Sequence, residues 1–407
     1  MPAQDSKYLP RLLVLTSTYP RWNGDTLPPF VHELAHRLTT AFEVHVLAPH
    51  AAGSAEHESL GGVHVHRFHY LPEKFEVLAY TGGILPSLRR KPWRLVALPL
   101  FLTAQLISTI GLLRRYRFDA IHAHWILPQG LIAVLANKAS GMHAKILCTG
   151  HGADVFALNG MIMRRLKLFT LKRCNKVTVV SNAMLNVLGR ITSIDRKYSV
   201  IPMGVDCWGR FMPGKQSPDP SSLLFVGRLA EKKGVCFLLR ALPLIKNHIG
   251  IKLSIIGSGT EEAELHQLAE QLRLNDCVEF TGPVPNAELP KYFQNSSILV
   301  FPSIITPSGD QEGFGLVIAE AMACGCAVVA SGLPAVRDII QDNKTGLLVA
   351  PESPQEIAHA VESLIENPEF LQRLSTEGRQ FIVDNFDWEL ISKRYANLLK
   401  QMIASTA

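Results

Sequence analysis

Short apolar runs rich in β-branched residues recur along the chain, and most of them do not alternate with polar positions. In the first half they lie at residues 11–17, 43–49, 119–125, 145–151 and 176–182. Apolar residues with helical spacing separate several of these runs, as in residues 29–40. Strands that are apolar on both faces and alternate with helices are typical of a parallel sheet covered on both sides. The first half therefore predicts a doubly wound α/β domain.

A second series of the same kind follows a proline-rich break at residues 201–220. Its apolar runs lie at residues 222–228, 252–259, 278–284, 297–303, 327–331 and 345–351, and helical spacing fits residues 234–247, 260–273, 287–295, 315–324 and 354–366. A chain of 407 residues is too long for one hydrophobic core, so we predict two α/β domains in tandem. Ligands of open α/β sheets bind beyond the carboxyl ends of the strands, which places the expected site in a cleft between the domains.

Residues 95–113 carry no charge over 19 positions, a length at the lower limit for spanning a bilayer. Gln105, Pro99 and several hydroxyl residues favour a buried or membrane-grazing helix over a span. The N-terminus lacks the long apolar core and cleavage site of a secretory signal. The seven cysteines form no CxxC pair and are typical of buried thiols in a reducing compartment. We therefore expect a cytoplasmic protein, with possible peripheral contact at the inner face of the cell membrane.

The net charge of +6 hides a difference between the two halves. Residues 1–205 hold 24 Lys and Arg against 11 Asp and Glu, whereas residues 206–407 hold 17 against 24. A basic first half and an acidic second half suggest different partners for each. The basic half lacks interleaved aromatic residues and any nucleic-acid-binding module, so we expect no nucleic-acid partner.

The stretch EGFGLVIAEAM places two carboxylates, Glu312 and Glu320, eight positions apart in an apolar segment. Gly313 and Gly315 permit a tight turn before a helix that extends to about Ala323. Glu320 is then surrounded by apolar helix positions and predicted to be buried, and a buried carboxylate requires hydrogen-bond donors. A vicinal sugar diol supplies two donors. The alternative is a helix-capping carboxylate followed by a surface glutamate.

The stretch GRLAEKKG places Arg228 and Lys233 in a loop between a strand and a helix. Two cations beyond a strand end suit a diphosphate, and the helix that opens at Gly315 adds a positive dipole end. The alternative is a solvated surface pair. The sequence contains no D-x-D or H-E-x-x-H motif, and cations with a helix terminus could replace Mg²⁺. We therefore predict chemistry that needs no metal and no cofactor.

Three further segments carry candidate residues in the first half. In TGHGADVF, His151 lies between two glycines and could hydrogen-bond a substrate hydroxyl, as could Asp154, which is also a good helix N-cap. The helical stretch at residues 161–173 carries Arg164 and Arg165 among five cations and could contact anionic lipid or an anionic acceptor, or be a solvated face. Gly24, in an NGD turn, is weak evidence alone.

The chain resembles the family 4 retaining glycosyltransferases, whose E-x7-E motif is specific. The resemblance is carried by GRLAEKKG, GSG at 257–259, FTGPVPNAELPKYF and above all EGFGLVIAEAMACGCAVVASGLPAVRDIIQDNKTGLLV. The resemblance spans nearly the whole chain and is weakest at about residues 50–115. It implies a GT-B fold, with two Rossmann-like doubly wound domains facing a central cleft and a C-terminal helix crossing back to the first domain. The implied domains are residues 1–203 for the acceptor, 204–384 for the nucleotide sugar, and 385–407 for the returning helix.

The resemblance also implies roles for single residues. Glu320 would bind the ribose hydroxyls, and Glu312 the hydroxyls of the transferred sugar. Backbone groups would contribute at Gly313, Phe314, Gly315 and Leu316. Arg228 and Lys233 would hold the diphosphate, Val284 would touch the base through its backbone, Gly24 would face the diphosphate, and His151 would lie near the donor sugar. The loop after the first strand, YPRWNGD, lacks the adjacent pair of glycines that many relatives carry.

The resulting expectation is a retaining, metal-independent glycosyltransferase. It would move a hexose-type sugar from a nucleoside-diphosphate sugar to a saccharide or lipid-linked acceptor, in cell-surface polysaccharide or glycolipid biosynthesis. His151, Glu312, Arg228 and Lys233 are the predicted catalytic residues, and Asp154, Arg164 and Arg165 the acceptor-side candidates. Two alternatives remain open: a nucleotide-sugar epimerase of the same architecture, and a non-catalytic protein that binds sugar nucleotides.

Overall fold

A computed structural model describes residues 9–22, 25, 29–80, 84, 87–88, 92–157, 160–245 and 250–405. The chain divides into two compact units. The first comprises Met1–Val179, Val187–Ile201 and Ser392–Ala407, and the second comprises Val180–Asn186 and Pro202–Ile391. The domain boundaries expected from the sequence remain predictions.

The first unit is built on an eight-stranded sheet. Its strands are β1 Arg11–Leu15, β2 Glu43–Pro49, β3 His57–Leu60, β4 Val63–Phe68, β5 Ala120–His124, β6 Lys145–Gly150, β7 Lys176–Val179 and β8 Tyr198–Val200. They lie in the order β3-β4-β2-β1-β5-β6-β7-β8, and β3 pairs antiparallel in an otherwise parallel sheet. The central strands are buried over almost their whole length, as the unbroken apolar runs predict.

Helices separate these strands. They are α1 Phe30–Leu38, α2 Ala97–Tyr116, α3 Leu131–Ser140, α4 Ala153–Phe156, α5 Met161–Arg173 and α6 Asn182–Gly189, and the division of the chain into units falls within α6. Helix α2 packs on α3, which packs on α5, so these three helices form one layer. Residues Arg94–Tyr116 are long and apolar enough to cross a membrane by length and composition alone.

Helix α2 is half buried. Its buried stripe repeats every four residues and includes the polar Gln105 and Thr109 beside Phe101. The opposite side is apolar but exposed, and Val96 and Ile107 keep 77% and 64% of their surface. The composition predicts an apolar helix, but the polar residues Gln105 and Thr109 lie on its buried side.

The second unit contains a six-stranded parallel sheet in the order β11-β10-β9-β12-β13-β14. Its strands are β9 Ser222–Val226, β10 Lys252–Ile256, β11 Val278–Gly282, β12 Ile298–Phe301, β13 Ala327–Ser331 and β14 Leu347–Val349. Its helices are α7 Val235–Ala241, α8 Glu262–Gln271, α9 Leu289–Gln294, α10 Leu316–Ala323, α11 Pro354–Glu366 and α12 Pro368–Phe386. Each strand and helix of the second predicted series is present, and the ends agree within a few residues except at α7, which ends at Ala241 and whose expected end at 247 lies outside the described residues.

The last helix, α13 Trp388–Ala404, contains the boundary between the units, so residues from Ser392 onward belong to the first. Within the first unit, the Tyr395 hydroxyl donates to the Ile201 carbonyl at 3.1 Å, and Leu399 is fully buried. The terminal helix therefore returns to the first unit, as predicted. Both units are doubly wound α/β sheets, which confirms the predicted fold class.

Candidate functional site

In the second unit, the loop that carries Arg228 and Lys233 follows β9, and its conformation depends on Gly234. The loop contains a short 3-10 helix, Glu231–Lys233, and turns at Gly234 with φ of +60°. A Cβ atom there would lie 2.1 Å from the Pro302 carbonyl oxygen, so only glycine allows this loop to reach the end of β12. The close approach carries the neighbouring Lys233 to the carboxyl edge of the sheet.

Lys233 and Glu312 form an ion pair at this edge. The Lys233 ammonium donates to Glu312 Oε2 at 2.7 Å and lies 4.7 Å from the centre of the Phe301 ring. Burial raises the pKa of Glu312, but the charges of Lys233, Lys232 and Arg228 outweigh this effect and hold the pKa at about 2. Burial also lowers the pKa of Lys233. Glu312 is therefore an anion that keeps its cations in place.

Two more cations accompany the pair. Arg228 is exposed and close enough to lower the pKa of Glu312. Lys232 donates to Asp310 Oδ1 at 3.3 Å and to the Gln311 carbonyl at 3.4 Å. Three cations thus meet two carboxylates, Asp310 and Glu312, and this excess of positive charge at a strand edge favours an anionic ligand.

Gly315 caps the helix that begins beside Glu312. Its φ is +98°, and the Ile318 N–H bonds to its carbonyl at 2.9 Å as α10 starts. Gly313 and Phe314 are buried, and Leu316 is half buried. The first-turn N–H groups of a helix point out of its N-terminus, where the macrodipole is positive. This turn can therefore present N–H donors to a phosphate or a sugar oxygen.

Glu320 lies inside α10 in very different surroundings. It keeps 8% of its surface, between the fully buried Ala319 and Ala321. Burial raises its pKa to about 7, and the charge of Arg210 opposes the shift. Within the part of the chain that the structure describes, no donor hydrogen-bonds its carboxylate. A buried acid without donors is suited to bind hydroxyl groups of a ligand.

Arg210 links this acid to the loop after β11. Its guanidinium donates to the backbone carbonyl and the side-chain oxygen of Asn286. Two positions earlier, Val284 is half buried, and its backbone makes no hydrogen bond to any described residue. The Val284 peptide groups are therefore available to a planar polar ligand such as a nucleobase.

His151 follows β6 in the first unit and is held by other aromatic rings. Its Nε2 lies 2.9 Å from Nδ1 of His124, and the two rings are stacked. The rings of Phe30 and Trp125 lie about as close, at 5.1 and 5.0 Å between centroids. Burial lowers the pKa of His151 to about 3, with a smaller contribution from His122. His151 is therefore a neutral imidazole.

The neighbouring histidine indicates which nitrogen carries the His151 proton. His124 is fully buried, its pKa is lowered by burial, and its Nε2 has no partner among the described residues. Buried N–H groups without an acceptor are rarer in proteins than buried acceptors without a donor, so a proton on Nε2 of His124 is disfavoured. The favoured arrangement has the proton of His124 on Nδ1, donated to His151. His151 then carries its own proton on Nδ1 and can donate it to a ligand.

Asp154 stabilises the turn that contains His151 by accepting backbone hydrogen bonds. It is 3% exposed, and its carboxylate accepts the backbone N–H groups of Ile126, His151 and Gly152 at 2.8, 3.1 and 3.0 Å. The N-cap of α4 is Gly152, so the expectation that Asp154 is itself the N-cap is wrong. With its oxygens occupied by three donors, Asp154 fixes the His151 loop and has little capacity left for an acceptor.

Helix α5 carries fewer surface cations than expected. Arg164 and Arg165 are exposed, but Lys167 keeps only 1% of its surface. Its ammonium donates to the carbonyls of Val155 and Ala157 at 3.1 and 2.7 Å. Lys167 therefore belongs to the fold and not to a lipid-facing surface. Gly24 lies outside the described residues.

Sequence reasoning missed three residues that this geometry brings in. Lys232 was visible beside Lys233 in the Lys-Lys-Gly run, but Arg210 and His124 gave no comparable signal. Arg210 lies alone in the proline-rich break, and His124 reads as an ordinary buried strand residue. Arg210 and His124 each contact a partner distant in sequence: Asn286 is 76 residues from Arg210, and His151 is 27 residues from His124.

Two family models match the chain. Residues 29–208 match Glycosyltransferase Family 4, and residues 212–381 match Glycosyl transferases group 1. Among curated proteins, the chain is 28% identical to glycogen synthase of Mycobacterium tuberculosis, over 95% of this chain and 94% of that protein. It is also 28% identical to a GDP-mannose-dependent alpha-(1-6)-phosphatidylinositol monomannoside mannosyltransferase of Mycolicibacterium smegmatis, over 67% of this chain and 74% of that protein.

Solved structures show the same architecture. Sucrose-phosphate synthase from Thermosynechococcus elongatus superposes with a TM-score of 0.79 at 22% identity, over 97% of this chain and 100% of that one. The HepE protein of Anabaena in complex with UDP-glucose gives 0.72 at 18% identity, over 96% and 99%. The fold, both family models and the relatives agree. The chain belongs to the family 4 type of glycosyltransferases and has the GT-B fold.

Proposed function

We propose that the protein is a retaining, metal-independent hexosyltransferase. It takes its sugar from a nucleoside-diphosphate sugar and transfers it to a hydroxyl of a lipid-linked or saccharide acceptor, in cell-surface polysaccharide or glycolipid biosynthesis. The observation that carries the proposal is the Lys233–Glu312 pair beside the N-terminus of α10, with Arg228 close by. This arrangement combines a diphosphate site with a carboxylate for sugar hydroxyls.

The cations stabilise the leaving group. As the glycosidic C1–O bond breaks, negative charge grows on the diphosphate, and Arg228, Lys233 and the N–H groups of α10 are placed to attract it. Preorganised charges of this kind act most strongly in sites that exclude water. They can fill the role that Mg²⁺ has in other phosphoryl chemistry, so the reaction needs no metal.

The acids and Val284 select the rest of the donor. Glu320 accepts the ribose hydroxyls, which supply the donors that its buried carboxylate lacks in the described residues. The backbone of Val284 contacts the base, and Glu312 accepts hydroxyls of the sugar with the oxygen that Lys233 does not occupy. His151, from the first unit, donates Nδ1–H to a hydroxyl of the donor sugar.

Retention needs no bond between the sugar and an enzyme group, provided that the acceptor attacks on the face that the leaving group occupied. The acceptor hydroxyl attacks C1 from the face that the diphosphate leaves. The departing phosphate oxygen takes the hydroxyl proton, so atoms and charge balance without an enzymatic base. The product then keeps the anomeric configuration of the donor.

The acceptor side rests on the helix layer of the first unit. Helices α2, α3 and α5 contain no Asp or Glu, and their exposed cations include Arg114, Lys138 and Arg164. Exposed apolar side chains accompany them, with Met161 and Ile162 at 71% and 69% exposure beside those of α2. Cations mixed with aliphatic side chains are typical of surfaces that bind anionic lipid. We place the enzyme on the cytoplasmic side of the cell membrane, facing a lipid-linked acceptor.

Donor turnover tests the chemistry. With a panel of nucleotide sugars in EDTA, the wild type should release nucleoside diphosphate and form product of retained configuration by NMR. Arg228→Ala and Lys233→Ala should each lower kcat/KM by about ten- to a hundredfold, because a charge-assisted hydrogen bond contributes about 1.5–3 kcal/mol. The exposed Lys344→Ala is the matched control. Values near wild type for both variants would overturn the diphosphate assignment.

The same assay separates the two alternatives. An epimerase would convert labelled donor to its epimer without an acceptor, and a non-catalytic binding protein would release no nucleoside diphosphate. Transfer that depends on an added acceptor excludes both.

Vesicle binding tests the membrane assignment. The wild type should cosediment with vesicles containing phosphatidylglycerol, and less so at high salt. Val96→Glu with Ile107→Glu should reduce this binding, whereas Leu244→Glu, an exposed leucine of the second unit, should not. Equal binding of all three proteins, or none by the wild type, would contradict a lipid-facing helix layer.

A further inference from the structure

Two histidines and a glutamate converge at the end of two neighbouring strands in the first unit. His50 follows β2 and His69 follows β4, and these strands are parallel with Pro49 opposite Phe68. A short 3-10 helix, Glu73–Phe75, then returns the chain so that Glu76 lies between the two rings. One ligand atom from each residue lies within 4.8 Å of the others. Strand pairing therefore brings together groups that share no sequence motif.

The hydrogen-bond contacts among these three residues all involve the carboxylate. His50 Nδ1 lies 2.6 Å from Glu76 Oε2, and His69 Nδ1 lies 3.2 Å from Glu76 Oε1. The Tyr70 N–H also donates to Oε1 at 3.0 Å. His50 and Glu76 are buried, whereas His69 is exposed. The buried carboxylate is thus flanked by two imidazole nitrogens, one from a buried ring and one from an exposed ring.

The hydrogen-bond partner of the other ring nitrogen, Nε2, indicates whether Nδ1 faces Glu76 with a proton or with a lone pair. His50 Nε2 lies 3.0 Å from the Ser54 carbonyl oxygen, which can only accept, so Nε2 carries the proton. In a neutral His50, Nδ1 is then a lone pair that faces a carboxylate oxygen. His69 has a carboxylate on both sides, with Nε2 3.3 Å from Glu56 Oε1. A neutral His69 has one N–H for two acceptors.

The cluster therefore has more acceptors than protons. The ring centroids lie only 3.9 Å apart, and the three ligand atoms lie within 4.8 Å of one another, so one ion can reach all of them. A single divalent cation resolves the conflict, because it binds both lone pairs and the carboxylate while each ring stays neutral. The remaining N–H groups then keep their bonds to Ser54 and Glu56.

Those outer bonds are the ones that metal-binding histidines make. A ligating imidazole usually donates its second N–H to a backbone carbonyl or a carboxylate, which fixes the tautomer and the ring orientation. His50 has the carbonyl of Ser54, and His69 has the carboxylate of Glu56. The Ser54 turn is itself closed by its hydroxyl, which bonds to Ala51. Both proposed ligands are therefore held by a second set of contacts.

We propose that His50, His69 and Glu76 form a site for a first-row divalent cation, with Nδ1 of each histidine and one carboxylate oxygen as ligands. Two imidazoles and a carboxylate suit Zn²⁺ in a tetrahedral arrangement that leaves one position for water. Metal–ligand distances of about 2.0–2.1 Å place tetrahedral ligand atoms about 3.3 Å apart. The 3.2 Å between His69 Nδ1 and Glu76 Oε1 already fits, whereas His50 Nδ1 lies 2.6 Å from the other oxygen, Oε2, and must move to bind a metal together with Oε1.

The site is separate from the proposed transfer chemistry, whose cations lie in the second unit. A bound cation would link the ends of β2 and β4 to the segment that carries Glu76. We therefore expect metal loading to stabilise the first unit, whether or not the transferase proposal holds.

Metal content and thermal stability test the site on the full chain purified without a histidine tag. After incubation with zinc chloride and gel filtration, the wild type should retain about one zinc per chain, and its thermal midpoint should rise by several degrees. Because His69 is exposed, His69→Ala should fold, lose most of the bound zinc and lose the thermal shift. His143→Ala removes another exposed histidine of the same unit and should behave like the wild type.

A second readout does not depend on stability. Cobalt(II) bound by two imidazoles and a carboxylate should give the d–d absorption of a tetrahedral site in the wild type, and Glu76→Gln should weaken it. The proposal is overturned if the wild type and His69→Ala retain equal zinc and show equal thermal shifts. It is also overturned if no tetrahedral cobalt spectrum appears in a folded wild-type protein.

Discussion

The two glutamates of the second unit are chemically identical, but their surroundings give them opposite acidities. Glu312, in a loop among Lys233, Lys232 and Arg228, has a pKa of about 2. Glu320, eight positions later inside α10, has a pKa of about 7 because burial outweighs the charge of Arg210. Glu312 is therefore charged at every physiological pH, whereas Glu320 gains or loses its proton near neutrality.

The difference indicates two kinds of binding. Around Glu312 the cations are already in place, so the anionic part of a ligand enters a preorganised field. Glu320 has no donor among the described residues, so its ionised form needs hydroxyl groups from the ligand. The phosphate side of the donor should thus contribute to both affinity and turnover, whereas the ribose side should contribute to affinity and set its pH dependence.

The largest effect is expected from removing the cation of the Glu312 side. Lys233→Ala removes a phosphate contact and leaves Glu312 without its hydrogen-bonded partner. We expect kcat/KM to fall by about a hundredfold, since two charge-assisted contacts are lost. Steady-state kinetics at saturating acceptor measure this, with Lys344→Ala as the control. A fall of less than threefold would show that the pair does not act on the diphosphate.

The next effect concerns Glu320 and pH. Its carboxylate must lose a proton to accept two hydroxyls, so the donor KM of the wild type should rise about fivefold as the pH falls from 7 to 6. Glu320→Gln should raise KM by about tenfold at pH 8 and abolish this dependence. Initial rates between pH 5.5 and 8.5 provide the comparison. An unchanged pH profile in the variant would assign the titration to another group.

A smaller effect is expected from His124, which positions His151 through the bond at 2.9 Å. His124→Phe fills the same space without a donor, so His151 can redistribute its proton between its two nitrogens. We expect kcat to fall by about three- to tenfold with little change in donor KM. His124→Asn, which retains a donor near that position, should recover part of the loss. Equal losses in both variants would indicate packing and not tautomer control.

The smallest effect is on acid stability. The pKa of Glu312 lies below the ordinary value of 4.5, so its ionised form stabilises the fold above about pH 4.5, and that stability is lost as the pH falls towards 2. Glu312→Gln should melt a few degrees below the wild type at pH 7, and the gap should close on acidification. Calorimetry at several pH values tests this. A gap independent of pH would mean that the charge of Glu312 does not contribute.

Most of the fold could be predicted from local patterns. Strands such as β9 and β13 are uninterrupted runs of apolar residues, and turns with glycine or proline mark their ends. The short strands β3, β4 and β8 were missed. In β4, Val63 and Val65 alternate with His64 and His66, and β3 is an exposed edge strand, so neither has the pattern of a buried central strand.

The residues of the candidate site likewise separate into those that a local motif predicts and those that only long-range contacts bring in. Arg228, Lys233, Glu312 and Glu320 lie in contiguous motifs, so their types and spacing were readable. Arg210 and His124 depend on contacts between distant segments, which no local pattern encodes. Lys167 was instead wrongly counted among the surface cations of its helix. Helical spacing cannot distinguish a surface lysine from one whose ammonium bonds two carbonyls in the interior.

The central claim is that the second unit binds a nucleoside-diphosphate sugar through these cations and acids. Titration calorimetry of the wild type, Lys233→Ala and Glu320→Gln with UDP-, GDP-, ADP- and TDP-sugars in EDTA tests it most directly. We expect one preferred nucleotide sugar to bind without metal, with affinity reduced at least tenfold in each variant. Binding that requires a divalent metal, or that is equally tight in all three proteins, would contradict it.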